Sequence, residues 1–75
     1  MTLREVLAEN LKRHRLATGL SQEELAHRAD IDRTYVSSLE RCQYSAPVDM
    51  IEKLARVLGV EAAELLVVPS AASET

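Results

Sequence analysis

The chain has 75 residues, 47% hydrophobic and 28% charged, the composition of one small globular domain. A single cysteine excludes an internal disulfide framework and a four-cysteine zinc site, and no run approaches the ~18 apolar residues of a membrane span. The formal net charge of −3 lies wholly in residues 45–75, because residues 1–44 balance seven bases against seven acids; net charge alone therefore neither supports nor excludes a nucleic-acid partner.

With two tyrosines and no other aromatic residue, the core must be aliphatic. The periodicity is helical almost throughout. Thr2-Leu3-Arg4-Glu5 has the pattern of a capping box, and Leu3, Val6, Leu7 and Leu11 form one stripe. Gly19 fits a left-handed stop with Leu20 just beyond it, so the first helix spans about 3–17. Ser21-Gln22-Glu23-Glu24 opens a second helix, about 21–28, as a second capping box. Asp30-Ile31-Asp32 breaks it, and Asp32 caps a third helix that ends near Arg41, with Val36 and Leu39 inward. After a loop at 42–46, Pro47 suits the first turn of a fourth helix, whose stripe is Val48, Ile51, Leu54, Ala55 and Leu58 and whose stop is Gly59. Residues 61–66 make a last short helix. The expected fold is all-α: a compact five-helix domain over 1–68, followed by a flexible tail at 69–75.

Gly19 to Arg41 carries the functional signal. Two short capped helices joined by a tight turn fit a helix-turn-helix. Ala26 allows close approach where the helices cross, and Ile31 plugs the turn. Arg33, Thr34, Ser37 and Ser38 are then expected to face outward, with side chains suited to base edges and phosphates.

This segment resembles the Cro/repressor-type, xenobiotic-response-element-like, helix-turn-helix transcriptional regulators. The resemblance covers about residues 7–66. It rests on Arg15, the run from Gly19 to Ala26, Tyr35, Leu39-Glu40-Arg41, Leu54-Ala55 and Leu58-Gly59-Val60. It implies sequence-specific binding of double-stranded DNA by a small repressor or controller, usually as a two-fold homodimer on a palindromic operator. Carried onto this chain, it implies base contacts from Arg33, Thr34 and Ser38. Ser21, Gln22, Tyr35, Ser37, Arg41, Gln43 and Tyr44 would meet the DNA backbone, with Gln22 also buttressing the recognition helix. Arg15 and Glu40 would form an internal ion pair. His14, Cys42 and Ala46-Pro47 depart from the family's usual pattern, and Cys42 stands where glycine usually ends the recognition helix.

Leu66, Val67 and Val68 exceed what a monomer needs to close its core, so they are the expected dimer surface. No catalytic set stands out: there is no Gly-rich phosphate loop and no nucleophile beside a base, so no enzyme is expected. His14 and His27 are not expected to hold a metal, and no cofactor is implied. Glu5 stands where a secretory signal would begin its apolar stretch, which points to the cytoplasm and away from a membrane. The alternative is a helix-turn-helix used to hold a protein partner, as in an antitoxin.

Overall fold

A computed structural model describes residues 1–68; the tail expected at 69–75 lies outside the described residues. Four α-helices follow one another: α1 (Leu3–Ala17), α2 (Gln22–Ala29), α3 (Arg33–Glu40) and α4 (Val48–Leu58). A 3-10 helix, Ala62–Leu66, completes the described chain, which holds no strand.

The helix starts follow their caps. Thr2 and Glu5 close a reciprocal box: the Thr2 N–H donates to Glu5 Oε1 at 2.7 Å and the Glu5 N–H to Thr2 Oγ1 at 3.2 Å. The box expected at Ser21 is half made. Ser21 Oγ accepts from the Glu24 N–H at 3.0 Å, while the Glu24 carboxylate reaches Arg28 one turn on, at 3.6 Å. An i,i+4 cation thus competes for the acid that the box would use. Asp32 Oδ1 accepts from the Thr34 N–H at 2.9 Å and starts α3.

All four α-helices stop by one device. An N–H two or three residues past each helix returns to a carbonyl five residues back: Leu20 to Arg15, Ile31 to Ala26, Gln43 to Ser38 and Val60 to Ala55, at 2.9–3.2 Å. The residue before each donor is left-handed, with φ of 78° at Gly19, 58° at Asp30, 62° at Cys42 and 73° at Gly59. Two of these four carry a side chain, and both flank α3.

The stripes read from the sequence meet in one aliphatic core, except at two first-turn positions: Leu3 and Val48 are 65% and 79% exposed, because the first residue of each helix projects past the elements packed on it. Leu7, Leu11, Leu20, Leu25, Val36, Leu39, Leu54, Leu58 and Leu65 fill the core, and Ala26, Ala29 and Ala55 let the helices close on one another. Ile31 packs against this core from the turn. Three buried residues are polar, Asn10, Arg15 and Ser38, and Asn10 is the most enclosed. Asn10 is fully buried in α1; its Nδ2 donates to the Leu65 and Val67 carbonyls at 3.0 and 2.8 Å, and its Oδ1 accepts from Arg13 Nη2 at 3.0 Å. No helix among the described residues is long and apolar enough to cross a membrane.

Candidate nucleic-acid interface

The helix-turn-helix is α2, the turn at Asp30–Asp32, and α3. Val36 and Leu39 anchor α3 to the core. A buried polar network does the rest. Arg15 Nε donates to Glu40 Oε2 at 2.6 Å and its Nη2 to Oε1 at 3.1 Å, a two-pronged contact with side chains 9% and 3% exposed. The remaining Arg15 nitrogen, Nη1, donates to the Leu20 carbonyl at 2.9 Å. Gln22 Nε2 donates to Glu40 Oε1 at 3.0 Å, so α1 and α2 both grip the last residue of α3, while the connection between them holds Arg15 in place. The planar guanidinium fork matches a carboxylate in two places at once, which fixes orientation as well as distance.

This grip leaves the first turn of α3 free. Arg33 and Thr34 are exposed there, and the Asp32 carboxylate beside them is engaged in capping. Ser37 and Tyr35 are half-buried, Tyr35 lying against the core. The other expected backbone-contacting residues lie beyond the far end of α3 or at the start of α2. Arg41, Gln43 and Tyr44 are exposed on the loop that follows, and the Tyr44 ring lies 6.1 Å from that of Tyr35. Ser21 and Gln22 open α2 on the same side, brought there by the Gln22–Glu40 bond. Ser21 Oγ is an acceptor in its cap, so its hydroxyl hydrogen remains available.

Ser38 corrects the expected outward set. It is 6% exposed, not on the open face with Arg33 and Thr34. After Ser38 the chain turns left-handed at Cys42 and the Gln43 N–H bonds the Ser38 carbonyl at 2.9 Å, so the following loop leaves α3 beside this residue. Helical periodicity counts neighbours within one helix and does not see what the rest of the chain lays beside it.

A second surface lies away from α3. Leu66, Val67 and Val68 are 36%, 47% and 37% exposed, while Leu65 beside them is fully buried. Leu66 also borders an apolar groove of about 390 Å³ between Leu3 and Leu7 of α1 and Val48 and Ile51 of α4. Among the described residues, no group of three His, Cys, Asp or Glu side chains could hold a metal ion.

The chain matches the helix-turn-helix family over residues 11–65. It is 49% identical over 67 residues to a hypothetical transcription factor of Neisseria meningitidis serogroup B, an alignment that covers 89% of this chain and 63% of that one. It is 37% identical to the control protein C.BamHI of Bacillus amyloliquefaciens, over 85% of this chain and 80% of the relative. In three dimensions it superposes on the Neisseria hypothetical transcription factor NHTF with a TM-score of 0.92 at 45% identity, covering 97% of this chain and 84% of that one. It also superposes on the restriction-modification controller protein C.Esp1396I, solved as a tetramer in complex with its natural 35-base-pair operator. There the TM-score is 0.79 at 29% identity, over 87% of this chain and 86% of that one.

Proposed function

The chain belongs to the helix-turn-helix family of DNA-binding transcriptional regulators, and from that premise we propose how its surfaces divide the work. The first turn of α3 enters the major groove, where Arg33 and Thr34 meet base edges. A guanidinium bonds a guanine edge at two points, so Arg33 supplies most of the base preference. Ser21, Gln22, Tyr35, Ser37, Arg41, Gln43 and Tyr44 hold the sugar-phosphate backbone, and Arg41 displaces a counterion in doing so. The start of α2 favours a phosphate because its backbone donors and dipole point there. The observation that carries this assignment is the buried Arg15–Glu40–Gln22 network. It fixes α3 rigidly from behind while its first turn stays open.

The operator is palindromic, read by a homodimer that joins through Leu66, Val67 and Val68 and sets its recognition helices about 34 Å apart. The tetramer of C.Esp1396I on its operator supports assembly on DNA in this family. The protein works in the cytoplasm as a regulator, not as an enzyme. The antitoxin alternative is not favoured, since the relatives are named as a transcription factor and a controller.

The test starts from a site selected out of a random duplex pool and titrates variants at several salt concentrations. Arg33→Ala is expected to lose about 1–3 kcal/mol and to relax preference at one base pair of each half-site. Arg41→Ala flattens the salt dependence by about one phosphate contact per subunit and leaves base preference alone. An Arg33→Ala protein with unchanged base preference overturns the assignment of α3.

A further inference from the structure

The 3-10 helix ends unlike the four α-helices. Val67 is extended, at φ −79° and ψ 127°, and no left-handed residue closes the turn. The last carbonyls of a helix need partners, and here a side chain from the far end of the chain provides two of them. Asn10 lies 55 and 57 positions before Leu65 and Val67, whose carbonyls take both of its amide hydrogens. Arg13 occupies the amide oxygen, so the Asn10 nitrogen must face those carbonyls. Asparagine is a poor helix-interior residue, and a buried amide costs free energy unless its bonds are made. Here all three hydrogen bonds are made, and all that the amide nitrogen holds is the backbone on either side of Leu66.

We propose that Asn10 is the positioning residue of the self-association surface: by clamping the backbone on either side of Leu66, it sets how Leu66, Val67 and Val68 are presented to a second copy of this chain. The clamp rests on the C-terminal dimer assignment made above. Because it grips main-chain carbonyls, it fixes the path of the segment whatever its side chains are. Leu65 is thereby turned into the core and its three successors out of it.

Sedimentation equilibrium on the parent, Leu66→Asp and Asn10→Leu separates the two ideas. Each protein is also titrated on a single half-site duplex, which needs only one protomer. Asn10→Leu keeps the branching at Cγ and removes the donors. It is expected to raise the dimer dissociation constant by about tenfold, as expected for one or two lost buried hydrogen bonds, with half-site affinity changed by less than about twofold. Equal losses in both measurements would make Asn10 a general structural residue and overturn the proposal. So would a dimer constant within about twofold of the parent's while Leu66→Asp dissociates. A parent that stays monomeric at high micromolar concentration and on DNA, or one indifferent to Leu66→Asp, removes the dimer surface itself and the clamp with it.

Should Asn10→Leu not fold, two measurements decide. Asn10 is the only asparagine in the chain, so its side-chain amide protons are assigned by identity. In the parent they are expected to exchange with water at least about tenfold more slowly than those of exposed Gln43; equal rates overturn the clamp. Arg13→Ala frees the Asn10 oxygen and is expected to weaken the dimer by about threefold with faster Asn10 exchange. Faster exchange with unchanged dimerisation overturns the link to self-association.

Discussion

Two buried polar side chains of α1, Asn10 and Arg15, reach two different surfaces and hold them by different chemistry. Arg15 grips a side chain, the Glu40 carboxylate at the end of α3, with a charge. Asn10 grips main-chain carbonyls after the 3-10 helix with a neutral amide. A charge pair is specific and fragile: each partner, left alone in the interior, is an uncompensated ion. An amide clamp needs no particular residue opposite it and leaves no charge behind when it is lost. The recognition helix thus hangs on a contact that two positions must both supply, and the C-terminal segment on one that a single position supplies.

That contrast can be broken at its strong end. Arg15→Ala and Glu40→Ala are each expected to cost about 3–5 kcal/mol in urea unfolding, the range for one side of a buried pair removed. The double variant costs clearly less than the sum, because the second change removes an ion already stranded. Near-neutral, additive single variants would show that the pair contributes nothing in solution, and the comparison with Asn10 would lose its basis.

A smaller effect separates the two kinds of helix stop. Gly59→Ala meets no steric obstacle, since a side-chain carbon there touches nothing within 4 Å. Its cost is backbone strain alone, about 1–2 kcal/mol. Cys42→Gly reverses the argument: it relieves that strain but adds the roughly 0.5–1 kcal/mol of freedom glycine brings to the unfolded chain. The expected outcome is a net gain of about 0.5 kcal/mol, read as a raised urea midpoint with unchanged slope. A loss on Cys42→Gly would mean that packing of the half-buried cysteine outweighs its dihedral.

These stops also show what the sequence could and could not reveal. Gly19 and Gly59 announce their turns, and Thr2, Ser21 and Asp32 announce their helices, because caps are local chemistry written in adjacent residues. Most of the inward faces of α1 to α4 follow from spacing for the same reason, but spacing also counts Leu3 and Val48 as inward, and both are exposed. The Arg15–Glu40 contact joins positions 25 apart and was legible only through resemblance to a family. Ser38 is buried against the expectation from spacing, because burial depends on what the rest of the chain lays beside α3. Asn10 escaped altogether: its partners are carbonyls, which every residue has, so no sequence pattern marks them. The one available hint was an asparagine in the middle of a helix, a residue type that helix interiors disfavour.

The smallest effect lies at the exposed start of α1, where the same helix holds its first turn by a carboxylate in water. The Glu5 carboxyl is held below its ordinary value, first by the Thr2 backbone N–H that donates to it and then by the Thr2 side chain. A depressed folded value means that the charged form is favoured by folding. The contribution is therefore present above the ordinary carboxylate range and is lost as pH falls through the folded value. Glu5→Gln keeps the capping pattern and removes only the charge, so it isolates that contribution. The parent is expected to melt slightly above Glu5→Gln at neutral pH, with the gap closing on acidification. Thr2→Ala removes the side-chain half of the box and keeps the backbone donor, so the Glu5 carboxyl returns only part of the way toward its ordinary value in a carbon-detected titration. Because Glu5 is fully exposed, the gap must be far smaller than the loss from Arg15→Ala. A gap that persists unchanged at acid pH would show that Glu5 acts through its shape and not its charge. In that case all the electrostatic holding power of α1 would reside in Arg15.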